Sequence, residues 1–352
     1  MAKDNLESLY TKVARKMLTE TLQVKRGDSV TVETWDNGLS FARRALSEAR
    51  AMGCTGVMLY EDEQAYVEGV RRGPEEVVGL MGRNEYGLLS GTDAYIFVPG
   101  QALGSVSKTL KPYERSRSTR YNDSWYEAAQ KAGLKGARLS FGYVGKDLAE
   151  ALGKKVQAIV QGQLEATLID FSKISGAAGR LSPSLADGAS AELKTSNSTL
   201  TFTLKGELSV EDGLIDEHDR ETGNNMTYLP PGYVAKEVDG STANGSVVLT
   251  DSLTDYGVVP RITLEFKDGK MVGWESAAKD KVKKIFDSVP REKRSLGSMI
   301  VGLNPKMKYG LGQDRFVGGA INLGGFGFRG LVKRGTLKVE GSTLLSEGRL
   351  TS

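Results

Sequence analysis

The chain has 352 residues, 39% of them hydrophobic and 26% charged, ordinary values for a globular protein long enough to form two cores. Its 47 basic and 44 acidic residues leave a formal charge of +3 and are interspersed along the chain. That balance excludes the basic footprint of a nucleic-acid binder and the polybasic face of a membrane-surface protein. The single cysteine, Cys54, excludes an intrachain disulfide and a cysteine-built zinc site, and between Met52 and Val57 it reads as a small buried apolar residue. The N-terminus is amphipathic and charged, and no stretch approaches the roughly 18 apolar residues of a spanning helix. A cytoplasmic protein with no membrane and no nucleic-acid partner is expected.

Residues from about Asn5 to Leu22 carry Leu6, Leu9, Tyr10, Val13, Met17 and Leu18 on one helical face. After the Arg26-Gly27-Asp28 turn, Ser29 to Thr34 reads as a strand. Leu39 to Met52 has helical period and stops at Gly53. Gly56 to Tyr60 reads as a second strand, helical pieces flank Gly73-Pro74, and Asp93 to Val98 is a short apolar run typical of a buried parallel strand. A helix around Ser124 to Ala132 precedes a fourth strand, Ala137 to Phe141. One long helical run is expected from Lys146 to about Lys173. Strand and helix alternate, so a parallel sheet covered by helices is the natural solution. Trp35-Asp36-Asn37-Gly38 after the first strand is not a phosphate loop, so a nucleotide role is disfavoured.

From Ala189 short alternating strands take over. Glu192–Thr195 and Thr199–Leu204 flank a turn at Asn197-Ser198, and Ile262–Phe266 and Met271–Trp274 flank Lys267-Asp268-Gly269-Lys270. The Leu229-Pro230-Pro231-Gly232-Tyr233-Val234 turn leads into a short strand, a polar loop over Asp239 to Gly245, and a further strand over Ser246–Thr250. A helix over Ser276 to Ser288 follows, and strands recur near Met299–Val301, Ala320–Leu323, Thr336–Val339 and Thr343–Leu345. The expected architecture is therefore α/β: an N-terminal parallel-sheet, Rossmann- or flavodoxin-like domain over 1–177, then an α+β mixed-sheet domain over 178–352, with the boundary near Gly176-Ala177-Ala178-Gly179.

Several of these segments resemble the aminopeptidase T family of thermophilic metallo-aminopeptidases. Val24-Lys25-Arg26-Gly27-Asp28-Ser29-Val30 is similar to the family's opening strand and Ala191 to Thr203 to a later strand pair. Gly302-Leu303-Asn304-Pro305 resembles its Gly-x-Asn-Pro, Leu229 to Val234 its Leu-Pro-x-Gly-Glu-Val, and Gly335 to Leu350 its terminal hairpin. The resemblance implies an α/β domain, a second domain carrying two metal ions, and a homodimer. It also implies where the ligands would stand. The first ligand Glu falls on Tyr233, a second near Ser298, a His at about Ile321, and a final His-x-Asp near Gly327 and Arg329. A long loop with a catalytic Tyr, present in the family, is reduced here to Gly324-Gly325-Phe326. Tyr, Ser, Ile, Gly and Arg are poor substitutes for carboxylates and imidazoles, and an arginine repels a dication.

The expectation that follows is a degenerate two-metal site with no cofactor, in a non-peptidase binding or structural protein that self-associates as a homodimer or higher homo-oligomer. The alternative is a hydrolase that holds two divalent metal ions through relocated ligands. Asp216, His218 and Asp219 are the candidates for such relocation, although adjacent residues in a polar loop rarely converge. His218 is the only histidine, and no nucleophile elbow accompanies it. Tyr228, Tyr233, Asp314, Arg315 and Arg329 are expected to border the former metal site, where tyrosines and arginines suit a small anionic or peptide ligand. Against this, the arginines would simply pair with Asp314 or Glu237. The run from Gly318 to Gly330 reads as close backbone packing or a subunit contact. Tyr113, Arg115, Arg117, Arg120, Tyr121 and Trp125 form a basic aromatic patch, a composition common at protein interfaces and able to bind nucleic acid, with an exposed helix or its approach loop as the default. Lys281-Lys283-Lys284 and Arg291-Lys293-Arg294 read as a solvated face.

Overall fold

In a computed structural model, which describes residues 2–100, 109–111, 113–114, 119–250, 252–254, 257–287, 289–290 and 294–351, the chain opens with a helix, Ala2–Lys16, and then builds a parallel sheet. Strands β1 (Ser29–Thr34), β2 (Thr55–Tyr60), β3 (Ala94–Val98) and β4 (Lys135–Leu139) follow one another in sequence. The chain then forms two strands of a separate sheet, β5 (Ser190–Thr195) and β6 (Ser198–Glu211), before returning to add β7 (Met226–Leu229) beside β4. The resulting order is β2-β1-β3-β4-β7, every neighbour parallel. Of the two expected types this is the flavodoxin order.

Local chemistry accounts for the elements around this sheet. The helix Leu39–Ala51 buries Phe41, Ala42, Ala45, Leu46 and Ala49, an i, i+4 stripe, and the chain leaves it at Gly53. The helix Glu63–Arg72 starts where the Asp62 carboxylate accepts the Ala65 N–H at 2.7 Å. Val30 and Val32 of β1 and Ile96 of β3 are fully buried between helical layers. Cys54 is buried, its thiol donating to the Lys25 carbonyl at 3.4 Å.

Three expectations shift. The fourth strand lies two residues earlier than expected, and residues 140–143 form a 3-10 turn, since Val144 N–H bonds back to Phe141. The long helical run is three helices, Lys146–Ala151, Val156–Thr167 and Phe171–Leu181. Gly153 interrupts it first, and Asp170 then starts a new helix by accepting the Ser172 N–H at 3.1 Å. The chain divides into a first unit of Met1–Leu168 with Gly213–Pro230 and a second of Ile169–Asp212 with Pro231–Ser352. Position 177 is therefore inside a helix, and the return of β7 makes the first unit discontinuous. Four residues of ordinary composition, Met-Thr-Tyr-Leu, give no sign of which sheet they join.

The second unit is built on a large antiparallel sheet. Its strands are β5, β6, β8 (Tyr233–Leu249), β11 (Ile262–Lys267), β12 (Lys270–Ser276), β13 (Ser298–Gly302), β14 (Ile321–Gly324), β15 (Gly330–Val332), β16 (Thr336–Val339), β17 (Ser342–Ser346) and β18 (Arg349–Leu350). The main path is β15-β14-β13-β8-β6-β5-β16-β17-β18, with β11 also on β8 and β12 on β11. A small pair, β9 (Ser252–Thr254) and β10 (Gly257–Val259), stands apart from it. The Asp268-Gly269 turn of the β11–β12 hairpin has φ +49° and +77°, the primed geometry that matches strand twist. In the β5–β6 hairpin the turn is Ser196-Asn197, one residue earlier than expected.

The polar segment from Asp239 is not a loop but part of β8. Its first half pairs with β13 and its second with β11, while β6 runs along the other edge. Asp239 opposes Thr203 and Asn244 opposes Thr201, so the residues between them form a bulge. Side chains close it: Thr242 Oγ1 accepts the Thr203 N–H at 2.8 Å, and Asp239 accepts the Ser241 N–H at 3.0 Å. The glycine-rich run packs backbone on backbone, for a Cβ on Gly319 would lie 1.9 Å from the Gly348 carbonyl oxygen.

Candidate functional site

The region singled out by the sequence resemblance is formed by β8, β13, β14 and β15, adjacent in the second sheet. Register decides which side chains share a face, because residues directly opposite in an antiparallel pair point the same way. Tyr233 faces Gly302, Ala235 faces Ile300, and Glu237 faces Ser298; Ile300 in turn faces Asn322, and Ser298 faces Gly324. The opposite face carries Val234, Val301, Ile321 and Val332.

Ile321 is thus on the wrong side of the sheet to meet Tyr233 and Ser298, and it is wholly buried in the apolar core. Its neighbour Asn322 occupies the shared face instead. Asn322 is buried, and its side-chain N–H2 has no hydrogen-bond partner among the described residues. The sequence reading passed over Asn322; the signal that could have found it is one amide alternating with apolar residues in Ile321-Asn322-Leu323.

The chain after β13 builds a lid of side chains over this face. Asn304 is fully buried and ties two segments together: its amide donates to the Pro231 carbonyl at 2.8 Å, and its side-chain oxygen accepts the N–H groups of Lys306 and Met307 at 2.9 and 3.2 Å. Leu303 N–H donates to the Gly232 carbonyl at 2.7 Å. Gly232, at φ +126°, has the Asn304 Cβ 2.6 Å from where its own Cβ would be, so the Pro-Pro-Gly and Asn-Pro motifs require one another. Further on, the backbone of residues 315–317 lies directly on Gly302, with the Val317 carbonyl 2.1 Å from the position a Cβ would take.

That contact delivers Arg315 to Tyr233. The guanidinium lies 5.8 Å from the Tyr233 ring and 4.9 Å from that of Phe316, and the two rings stack with centroids 5.3 Å apart. Asp314, one residue earlier, accepts the Gly310 N–H at 2.8 Å. A Cβ on Gly324 would meet Ser298 Oγ at 2.9 Å and Arg329 Cγ at 3.6 Å, so Ser298 and Arg329 are neighbours across it. Partial desolvation of the guanidinium, and then the nearby Arg315, lower the pKa of Arg329, while Tyr233 opposes the shift. Gly327 is at the surface, held beside Val289. The expected positions Tyr233, Ser298, Arg315 and Arg329 therefore cluster.

Among solved structures, wild-type AmpT (aminopeptidase T) from Thermus thermophilus is similar over 98% of this chain and 99% of that chain, with a TM-score of 0.65 at 15% sequence identity. The fold is aminopeptidase T-like. No protein-family model matches the chain, and no curated protein sequence does.

The clustered side chains do not suit two divalent cations. They offer a phenol, a hydroxyl, an amide and a guanidinium where such a site needs converging carboxylates or imidazoles. No group of three or more His, Cys, Asp or Glu side chains with metal-binding geometry occurs among the described residues. The cluster can instead present hydrogen-bond donors and positive charge to an anion.

Other candidates lie elsewhere. His218 is exposed in the short helix Glu217–Glu221 of the first unit. Its neighbours Asp216 and Asp219 form a capping box, each accepting the other's backbone N–H, at 2.9 and 3.1 Å. Tyr228 belongs to β7 of the first unit, not to the second-unit cluster, and accepts a hydrogen bond from Arg138 at 3.2 Å. Tyr113 is exposed, while Tyr121 and Trp125 turn towards the first sheet; Arg115, Arg117 and the Arg120 side chain lie outside the described residues. Lys281, Lys283 and Lys284 stand exposed on the helix Lys279–Asp287, and Lys283 pairs with Asp287. Arg291 and Lys293 also lie outside the described residues, and Arg294 caps that helix by donating to the Phe286 carbonyl and also donates to the Val289 carbonyl at 2.9 Å. No described helix is long and apolar enough to cross a membrane.

Proposed function

We propose that this protein is a non-peptidase relative built on the aminopeptidase T-like fold, a binding or structural homo-oligomer whose ancestral two-metal site has been converted to a metal-free anion-facing cluster. The observation that carries this reading is Arg315 laid across Tyr233 and Phe316, with Arg329 beside Ser298. In the sequence resemblance Tyr233, Ser298 and Arg329 match ligand positions and Arg315 borders them, which supports this reading. A guanidinium brings positive charge to the place a dication would need negative charge, and its donors suit a carboxylate or the end of a peptide.

Elemental analysis of the purified full chain, after equilibration with zinc, cobalt and manganese and removal of loosely bound ions, tests the reading together with turnover of aminoacyl-amide substrates. The expected result is metal well below one ion per chain and no turnover with or without added metal. Two ions per chain, or hydrolysis abolished by EDTA, overturns it in favour of a hydrolase with relocated ligands. Light scattering gives the assembly state, expected to be a dimer or larger.

A further inference from the structure

A different part of the molecule carries a second site. Across the first sheet one row of side chains runs Glu33, Phe97, Arg138 and Tyr228, the next-to-last residues of β1, β3, β4 and β7. In open α/β sheets ligands enter at the carboxyl ends of the strands, where the strand order reverses. In this sheet the reversal falls between β1 and β3, so Glu33 and Phe97 flank it. A pocket of about 80 Å³ opens there, walled on the far side by Asn122, Trp125 and Tyr126 of the helix Thr119–Ala132. A single water needs about 10–15 Å³ by this measure, so the space fits several non-hydrogen atoms but not a nucleotide.

The pocket holds two opposite charges that do not pair. Among the described residues Glu33 accepts a hydrogen bond from the Tyr95 hydroxyl and makes no ion pair. Arg138 donates to Tyr228, and its guanidinium lies 4.8 Å from the Phe97 ring and 5.6 Å from that of Tyr228. Its Nε–H is buried and without a partner among the described residues. Glu33 and Arg138 are two strand spacings apart, about 9–10 Å between backbones, with the Phe97 ring between them. Leaving a buried donor of a guanidinium unmatched is costly, and so is burying a carboxylate without a counter-charge.

A lone anion would be repelled by Glu33, and a metal cation would find one carboxylate and a guanidinium. We propose that this pocket binds a small zwitterion of amino-acid chemistry, its carboxylate taken by Arg138 and its ammonium by Glu33, against the aromatic wall of Phe97 and Trp125. The site is independent of the second-unit cluster and of the reading given to it.

Protonation of Glu33 supplies a second signature. Burial raises its pKa to about 7; Glu61 and Glu85 add to the rise, while the Tyr95 hydrogen bond and Arg138 oppose it. Tyr121, which faces the same space, donates to Glu85 at 2.5 Å. An ammonium needs the ionised form, so binding strengthens as pH rises through about 7.

Calorimetric titration of the full chain with each of the proteinogenic L-amino acids, with acetate and methylamine as single-charge controls, tests the proposal. At about pH 8, at least one small amino acid is expected to saturate, and acetate and methylamine to bind about tenfold more weakly or not at all. Glu33→Gln, which keeps the shape, and Arg138→Met are each expected to weaken binding about tenfold or more, Arg138→Lys less. No saturation by any amino acid up to about 10 mM, acetate binding as tightly as the amino acids, or unchanged affinity in Glu33→Gln would overturn it.

Discussion

Replacing Glu33 by Gln is expected to make the first unit more stable at alkaline pH. The folded-state pKa of Glu33 is about 7 against a reference of 4.5, so the folded protein retains a proton that the unfolded chain releases. Below the reference value both states are protonated and Glu33 costs nothing; as pH rises through this window stability falls, and above about 7 the loss is complete. Each pKa unit corresponds to about 1.4 kcal/mol, so the full cost is about 3 kcal/mol, and about 2 kcal/mol if the cleft is well hydrated. Glutamine fills the same space, still accepts from the Tyr95 hydroxyl, and carries no charge. Urea unfolding in a Trp274→Phe background leaves Trp35 and Trp125, both in the first unit, as reporters. Glu33→Gln should exceed the parent by about 2–3 kcal/mol near pH 8.5 and match it within about 0.5 kcal/mol near pH 4.5. A variant no more stable than its parent at the higher pH would refute the burial of this carboxyl.

Three further outcomes are expected. Asn304→Ala removes the side-chain bonds to the Pro231 carbonyl and to the N–H groups of Lys306 and Met307 and empties a buried position, and should cost about 2–4 kcal/mol in urea unfolding. Ile321→His places an imidazole in the apolar core and should cost more than about 2 kcal/mol, whereas Asn322→His, on the other face, should stay within about 1 kcal/mol; the reverse order would show that the register of β14 is misassigned. On the proposed metal-free reading EDTA should leave the melting temperature unchanged; a tightly held metal at a thousandfold excess over its Kd would contribute about 4 kcal/mol to the folded state, and its removal would lower that temperature.

Periodicity made much of the fold legible. The i, i+4 stripe of Phe41, Ala42, Ala45, Leu46 and Ala49 bounded a helix to within a residue, and the Asp268-Gly269 turn fixed a hairpin. The long run from Lys146 has the apolar spacing of one helix because that spacing persists across Gly153 and Asp170, although the backbone turns there. The segment from Asp239 looked like a loop because its polar side chains satisfy each other locally, which is also how they close a bulge within one strand. At the candidate cluster, Tyr233, Ser298, Arg315 and Arg329 lie near one another, while Ile321 points to the opposite face and Asn322 to theirs, since a shift of one residue exchanges the faces of a strand.

The sequence by itself determined the residue types: a chain with one histidine and one cysteine, and alternating patterns that commit the first part to a parallel sheet and the later part to antiparallel hairpins. Those are local properties, set by side-chain chemistry and by spacing along the backbone. Only the tertiary structure decided that β7 joins the first sheet, that Asn322 shares a face with Tyr233, and that Glu33 and Arg138 stand in one row without touching. Such facts depend on register between strands distant in sequence, which backbone hydrogen bonds and core burial fix jointly and which no single segment encodes.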